Sequence, residues 1–438
     1  MENRMRHRIV WVGFILVLFI SVGVIMRGIV NNALYNKIPD RGLPRINIDL
    51  NEVKLDEIKD GSKEEKYKNN QLSLYDNGVI DKYRNIEIKG RGNSTWDYCK
   101  KPYQISFSKK VDLLGLGKAK KWVLLASRAE HTLLRSDIAF KLAEMLELKY
   151  SHRGKFVELY FNSEYEGLYY LVQKIDISKN SVNLKEDGAI LFELDNVYVD
   201  DEEEEYYKSD LGDTLLLKSI KPNDEKTKKK VIEVFLDDVN TLESAAKKGN
   251  YETVSKMIDV DSFAKYYLIN EFAVNPDAYS TSFYLYKDGI KDKIHAGPVW
   301  DFDLALANRN WGWEVDERFY SPFEEMIRRR EAFGEDGLTE NKYISKLMYY
   351  LMDIPEFREE VKRVFEDKTS GRVNELIKAM QDKWGEIHEA MLVNSEKWEI
   401  EDSEEEYKYL LDWIVKRFEF FEYTYGDEIN DQRRFQSL

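Results

Sequence analysis

The sequence predicts an α+β fold, with a strand-rich N-terminal part, a mainly helical C-terminal part and one transmembrane helix before them. Short segments with alternating apolar residues dominate residues 45–175, and apolar residues at helical spacing dominate residues 176–438. An uncharged apolar run follows the first eight residues of the chain. At 438 residues the chain is long enough for two or three domains or for one bilobal unit.

The first predicted element is the apolar segment at residues 9–26, which is just long enough to cross a bilayer as a helix. Arginines are concentrated in residues 1–8, so the positive-inside rule places that end in the cytoplasm and the rest of the chain outside. A cleavable signal peptide would look similar, although no clean cleavage site follows. We expect a single-pass cell-membrane protein, or a secreted one if the segment is cleaved, with a tether at residues 27–44.

The next elements are strands and one helix. Alternating apolar residues in RNIEIKG and KPYQISF predict two strands that frame the turn-rich sequence GRGNSTWDYC. Helical spacing from Leu134 to Leu146 then predicts a helix of about four turns. The segment KFVELYFNSEYEGLYYLVQKI predicts a hairpin with its turn at Asn162–Glu164.

The C-terminal part begins with an acidic run at residues 200–205. A solvated loop explains this run, and calcium binding or substrate recognition is the alternative. Ala264, Leu268 and Phe272 share one face of a predicted helix. A hairpin with its turn at Asp288–Gly289 follows, and the remaining pattern is helical.

The composition excludes several classes of protein. A formal net charge of −15 argues against nucleic-acid binding, which needs clustered Lys and Arg. The lone cysteine, Cys99, excludes an internal disulfide and a cysteine-based zinc site. The five histidines form no i, i+4 pair, so oxygen ligands, and therefore Mg²⁺ or Mn²⁺, are the expected metal chemistry.

Three sequence features stand in an order that suits phosphoryl transfer. This reaction needs backbone amides and a cation for the phosphate oxygens, a carboxylate that orients the attacking hydroxyl, and acids that hold Mg²⁺. A glycine-rich turn before a basic strand would supply the amides. Its residues are Gly90, Arg91, Gly92, Asn93 and Ser94.

The other groups that phosphoryl transfer needs would come from lysines and acids further along the chain. Lys100 or Lys101 would supply the cation, and Asp277, at the end of a helix, would orient the hydroxyl. Asp301 would hold the metal, with Asp303 as a second ligand or its support. On a strand, residues two apart face the same side, where two carboxylates repel each other unless a cation binds them.

Each of these features also has an ordinary structural explanation. The Gly-x-Gly turn could be a plain hairpin, and the two lysines could keep an edge strand soluble. Asp277 could form a turn or cap a helix. The pair of Asp301 and Asp303 is harder to explain in this way.

Six segments also carry a resemblance, in their order and spacing. They are IKGRGNSTWDYCKKPYQISF, WVLLASRAEHTLLRSDIAFKLAEML, VELYFNSEYEGLYYLVQKIDI, AILFELD, NEFAVNPDAYSTSFYLYKD and AGPVWDFDLALAN. They resemble the motifs of the CotH family of atypical protein kinases over roughly residues 43–426. The resemblance implies a diverged bilobal kinase-like fold, and a transfer of phosphate from ATP, with Mg²⁺, to Ser or Thr of extracytoplasmic or spore-surface proteins.

The resemblance also implies roles for individual residues. Arg91 and one lysine, with Lys100 favoured over Lys101, would face the phosphates. Asp277 would match the catalytic acid, and Asp301 would match the metal-binding acid.

Two further positions belong to the nucleotide side of the implied site. Glu144 would lie on the counterpart of the kinase regulatory helix and pair with the lysine. Gln173 stands where many members of the family have Glu, close to the adenine.

The expected function is therefore an atypical protein Ser/Thr kinase that binds a nucleotide and a protein substrate. One alternative is a non-catalytic surface or assembly protein of the cell envelope that keeps the fold. Another is a glycan-processing enzyme, in which two acids flank the scissile bond about 5 to 10 Å apart. Two acids on one strand face would converge on one point, which suits a metal better.

Overall fold

The computed structural model describes residues 39–197, 205–222, 224–308 and 344–425. Seven strands in the first of these ranges close into a barrel, in the order β1-β2-β3-β4-β5-β7-β6. The strands are β1 (Arg45–Asp49), β2 (Tyr67–Asp76), β3 (Val79–Gly90), β4 (Tyr103–Asp112), β5 (Lys118–Leu125), β6 (Gly154–Phe161) and β7 (Glu164–Gln173). All neighbours are antiparallel except β1 and β6, which pair in parallel and close the barrel.

Strand alternation fills the barrel interior. Ile88 of β3, Ile105 of β4 and Trp122 of β5 are fully buried inside it. The residues next to them, such as Val123 and Val172, face outward and join a second core. Strands β6 and β7 are therefore buried on both faces along most of their length, whereas outward residues of β3 and β4 remain partly exposed.

A second sheet of five strands follows, in the order β12-β11-β8-β10-β9, and its neighbours are antiparallel. Its strands are β8 (Ala189–Leu194), β9 (Tyr206–Lys208), β10 (Thr214–Ile220), β11 (Phe283–Asp288) and β12 (His295–Ala296). Strand β8 is buried along its whole length. It lies at the centre of the sheet.

Helices pack around the barrel and the second sheet. They are α1 (Leu55–Asp60), α2 (Arg135–Met145), α3 (Glu225–Lys247), α4 (Tyr251–Met257), α5 (Val260–Ala273), α6 (Leu347–Met352), α7 (Pro355–Lys368), α8 (Val373–Trp398) and α9 (Ser403–Tyr425). Every residue of α5 from Ser262 to Ala273 is buried, so this helix is surrounded and its sequence shows no single apolar face. One core runs from the outer barrel face through α2 and α5 to α9.

Several local predictions are confirmed. The strands that frame the glycine-rich turn are β3 and β4, and the hairpins are β6–β7 and β11–β12. The predicted helix is α2, which has eleven residues and hence about three turns rather than four. Most of the acidic run at residues 200–205 lies outside the described residues.

The prediction of a bilobal kinase-like fold with an N-terminal transmembrane helix is wrong. The N-terminal strands close into a barrel, and the part after it contains a five-stranded sheet as well as helices. Alternation predicts that strands form, but it does not show that β1 pairs with the distant β6. Within the four described ranges no helix is long and apolar enough to cross a membrane, and residues 9–26 lie outside those ranges.

Candidate functional site

Three aspartates come together beside the second sheet. Asp277 lies in the turn after α5, and Asp301 and Asp303 lie in residues 301–308, which we call the acid loop. Asn275 connects the two segments, since its Oδ1 accepts from the Asp277 backbone N–H at 3.2 Å. Its Nδ2 donates to the Asp301 carbonyl at 3.4 Å.

The predicted strand at Asp301 and Asp303 is wrong, because the acid loop is a series of turns after β12. Asp301 has a φ of 66°, and Leu306 and Ala307 also have positive φ. This curvature brings the two carboxyl groups within hydrogen-bonding reach of each other. The acids meet as the prediction requires, but through a loop rather than through strand parity.

The three carboxyl groups share an unfavourable environment for negative charge. Desolvation raises the pKa of each, and the nearby Asp303 adds to the rise at Asp301. Glu130 and Asp277 add to the rise at Asp303. Asp301 is nonetheless exposed to solvent and Asp303 is half-buried. The three acids therefore line a cleft that solvent can enter. A cation that enters here would relieve the repulsion.

A buried arginine fixes the acid loop. Arg135, at the start of α2, is fully buried and donates from Nε to the Ala305 carbonyl at 2.9 Å and from Nη2 to the Ala307 carbonyl at 3.4 Å. Its Nη1 pairs with Glu130 at 3.0 Å. The acid loop is therefore held from the side of α2.

Asn308 fixes the same loop from its end. Its Nδ2 donates to the Asp303 carbonyl at 2.7 Å and to the Ala129 carbonyl at 2.9 Å. The side chain is buried, so these bonds are shielded from water. Together with Arg135 it holds the two acids in one geometry.

The glycine-rich turn packs mainly against its own side chains. A Cβ on Gly92, which has a φ of 85°, would lie 1.9 Å from Thr95 Oγ1, and one on Gly90 would lie 2.6 Å from the Trp96 ring. Asn93 accepts from Lys63 at 2.7 Å. Ser94 begins a short 3₁₀ turn. The close packing of the turn therefore explains why glycine stands at both positions, without a bound phosphate.

Arg91 is the residue of this turn that acts on the acids. Its positive charge opposes the rise in the pKa of Asp301. The guanidinium lies over the ring of Trp300, 5.2 Å from its centroid. A cation and the acid cleft therefore adjoin, as phosphate binding requires.

Neither predicted lysine faces the acids. Lys100 is buried, and its Nζ donates to the carbonyls of Ala126 at 2.8 Å and Leu168 at 2.5 Å. Burial lowers its pKa to about 7. Lys101 donates to the Trp96 carbonyl and lies over the Trp96 ring. Both lysines bind carbonyl groups of the barrel segment instead.

Glu144 and Gln173 line a cavity of about 460 Å³ beside the barrel. Glu144 does not pair with Lys100, since it forms ion pairs with Arg153 at 3.2 Å and Lys141 at 3.4 Å. Gln173 donates from Nε2 to the Leu116 carbonyl at 2.8 Å. Its buried Oε1 has no hydrogen-bond partner among the residues that the structure describes.

His152 joins the cavity to the acid cleft. Burial lowers its pKa to about 4, so the ring is neutral near pH 7. It lines the cavity and packs edge-on against Trp300, with 5.3 Å between the ring centroids. Trp300 precedes Asp301 and contacts Arg91, so contacts run from the cavity to the acids.

Two acids that sequence reasoning missed come from β8 and the residue after it. Glu193 raises the pKa of Asp301 and pairs with Lys218 of β10 at 2.9 Å. Asp195 raises the pKa of Asp277. A Glu inside the apolar run AILFELD is the signal that could have revealed the first of them.

Asp301 and Asp303 fit Mg²⁺ as a pair of carboxylates and not as a complete set of protein ligands. Within the described ranges no three His, Cys, Asp or Glu residues gather closely enough to hold a metal. Magnesium in nucleotide sites often takes only one or two carboxylates, with waters and phosphates as its other ligands. Asp301 and Asp303 supply such a pair, and their mutual repulsion favours a hard cation.

The fold and site define a barrel protein with an acid cleft bordered by a basic residue. Residues 88–421 match the family described as CotH kinase protein. The chain is also 25% identical to the inner spore coat protein H of Bacillus subtilis (strain 168) over 293 aligned residues. This alignment covers 66% of this chain and 72% of that relative. The chain belongs to the CotH kinase protein family.

This comparison also corrects the predicted location. The single-pass cell-membrane assignment is not supported, because the relative is named as a spore coat protein. The helices in the described part of the chain include none that could span a bilayer.

Proposed function

We propose that this chain transfers a phosphoryl group from ATP to a Ser or Thr hydroxyl of a protein at the spore surface. The observation that carries the proposal is the meeting of Asp277, Asp301 and Asp303 in one solvent-reachable cleft beside Arg91. The family name and the relative's name as a coat protein support it.

Each acid has a role that follows from its position. Asp301 and Asp303 hold Mg²⁺ (or Mn²⁺), which when bound neutralises charge on the phosphates. Asp277 orients the substrate hydroxyl and accepts its proton. Its raised pKa makes it a stronger base than an ordinary aspartate.

The nucleotide occupies the path from the cavity to the acids. Arg91 donates to phosphate oxygens, since its guanidinium lies near Asp301. The unpartnered Oε1 of Gln173 accepts from the amino group of the base, which removes an unmet hydrogen bond. His152, neutral and buried in the same cavity, adds one donor or acceptor.

A non-catalytic assembly role is the alternative. The observation in its favour is that Lys100 and Lys101 bind backbone carbonyls rather than the acid cleft. In that case the protein binds nucleotide or a coat component without turnover.

The test is phosphate transfer from γ-labelled ATP, with Mg²⁺, to a Ser-rich acceptor protein. We expect labelling by the wild type and a loss of at least about 100-fold for Asp301→Asn and Asp277→Asn, because each removes a charge that the transition state needs. Asp382→Asn, on the exposed face of α8, is the matched control and keeps full labelling.

Two results would contradict this proposal. Absence of labelling by the folded wild type would favour the non-catalytic role. Full labelling by Asp301→Asn would show that the acid pair does not take part.

A further inference from the structure

Five cations gather where the outer face of the barrel meets the second sheet. We call this group the basic face. It consists of Lys89, Arg91, Lys121, Lys174 and Lys218. The chain carries a net charge of −15, so a group of five positive side chains stands out against the rest of the molecule.

Strand register explains why three of these lysines share a face. Interior positions of β3, β5 and β7 are occupied by residues such as Ile88, Trp122 and Leu171. Lys89 and Lys121 have the opposite parity, so they point outward, and Lys174, the residue after β7, continues the same alternation. They are held there by the backbone of the barrel.

Lys121 and Lys174 are direct neighbours across two strands. The antiparallel register pairs Trp122 with Gln173, which places the next residues, Lys121 and Lys174, opposite each other. The Lys174 backbone N–H donates to the Lys121 carbonyl at 3.2 Å. Like charges directly opposite each other are destabilising. The arrangement therefore costs stability unless an anion is bound.

The two lysines have no compensating acid. Lys218 pairs with Glu193, and Lys89 pairs with Glu64. Lys121 and Lys174 form no ion pair within the described residues. Burial, followed by the neighbouring cations, lowers the pKa of Lys174 to about 8.

The basic face adjoins the acid cleft. Arg91 acts on both Lys174 and Asp301 through its charge. Lys218 reaches Glu193, which also acts on Asp301. An anion on these lysines would therefore lie beside the acid pair.

We propose that the basic face binds the phosphate chain of the nucleotide, with Lys174 and Lys121 in the role that the sequence assigns to Lys100 or Lys101. This inference rests on the proposed function, since it names the cations of that reaction. The cavity is linked to the basic face by contacts, since His152 lines the cavity and packs against Trp300, and Arg91 lies over the Trp300 ring. A base in the cavity would therefore place its phosphates towards Arg91 and the lysines.

The test uses inorganic tripolyphosphate, without metal and with EDTA, titrated into the full-length protein by calorimetry. We expect binding by the wild type and at least about ten-fold weaker binding by Lys174→Met and by Lys121→Met, the loss typical of a hydrogen bond to a charged group. Lys229→Met, which removes the same charge from the exposed surface of α3, stays within about two-fold of the wild type.

Thermal unfolding separates binding from folding. Without ligand we expect Lys174→Met to melt at the same temperature as the wild type or higher, because it removes repulsion between neighbouring cations. A lower melting temperature together with unchanged tripolyphosphate affinity would assign Lys174 to packing and overturn the inference.

The remaining outcomes identify the ligand and separate the two proposals. Displacement of tripolyphosphate by ATP supports the inference, and displacement by a phosphoserine peptide but not by ATP overturns it. If the wild type labels acceptor protein but does not bind tripolyphosphate, this inference fails and the proposed function stands. If Asp301→Asn binds tripolyphosphate and the wild type labels nothing, the proposed function fails instead.

Discussion

Lys100 shows how burial changes the chemistry of one residue. It lies among carbonyl groups inside the protein, and burial lowers its pKa to about 7 from its usual value near 10.5. Between these two pH values the unfolded chain binds a proton that the folded chain does not bind. The free energy of unfolding therefore gains from this residue as pH rises from about 7 towards 10, and that gain is lost as pH falls back through the window.

We predict that Lys100→Met removes this pH dependence. The wild type should gain a few kcal/mol of unfolding free energy between pH 7 and pH 10 from this residue, whereas the variant should not. Urea unfolding at several pH values measures the difference between the two proteins. Lys229→Met serves as the control for loss of one positive charge, and an equal slope in Lys100→Met and the wild type would show that Lys100 is charged in the folded state.

At this scale the sequence predicts the types of residue better than their surroundings. Asp277, Asp301 and Asp303 are brought together, and the order of motifs indicated them. The position of Lys100 could not be predicted, because its burial depends on β7 and on the segment after β5. The sequence pattern of two lysines beside a strand is the same whether their side chains face a ligand or the core.

The acid loop shows how one element depends on contacts from others. Its backbone carbonyls accept from Arg135, from Asn308 and, at Asp301, from Asn275. Positive φ values at Asp301, Leu306 and Ala307 cost conformational energy, which these contacts offset. The loop therefore holds the acids rigidly although it is not a strand.

We predict that Asn308→Ala lowers the rate of phosphate transfer more than it weakens nucleotide binding. The variant loses two buried hydrogen bonds, which costs about 1–3 kcal/mol of stability and lets Asp303 shift. Steady-state kinetics should show a lower kcat with KM for ATP nearly unchanged.

A variant with a similar loss of stability is the control for Asn308→Ala. Asn250 caps α4 by accepting from the Thr253 backbone N–H, and Asn250→Ala costs about 1 kcal/mol. It should leave kcat unchanged. Equal kinetic losses in both variants would mean that stability alone, and not the acid loop, explains the effect.

The sequence predicts the element at the acid loop less well than its neighbours. The hairpin β11–β12 before it follows from alternating apolar residues and an Asp-Gly turn. The turns after Trp300 follow from contacts with Arg135, which lies far away in the chain. Local patterns carry no information about such contacts.

The whole molecule is held together by a shared core. Val123, Phe156 and Val172 on the outer face of the barrel belong to the same core as α2, α5 and the C-terminal helices. The barrel therefore buries its interior by itself but relies on the rest of the chain to cover its outer face. The sequence predicts a boundary between a strand-rich part and a C-terminal part at residue 175, and the position of that boundary remains a prediction.

We predict that a fragment of residues 45–175 does not fold stably alone. It would expose the apolar outer face of β5, β6 and β7, which in the full chain is covered. Circular dichroism and limited proteolysis of the fragment would be compared with the full chain. A cooperative unfolding transition of the isolated fragment would contradict this prediction.

The parallel pair of β1 and β6 has a consequence during synthesis. Strand β1 can pair with β2 early, but its other edge has no partner until Gly154–Phe161 has left the ribosome, roughly a hundred residues later. An unpaired strand edge is a template for wrong association. The nascent chain therefore passes through a stage with an open sheet edge, and this stage lasts at least until translation has passed residue 161.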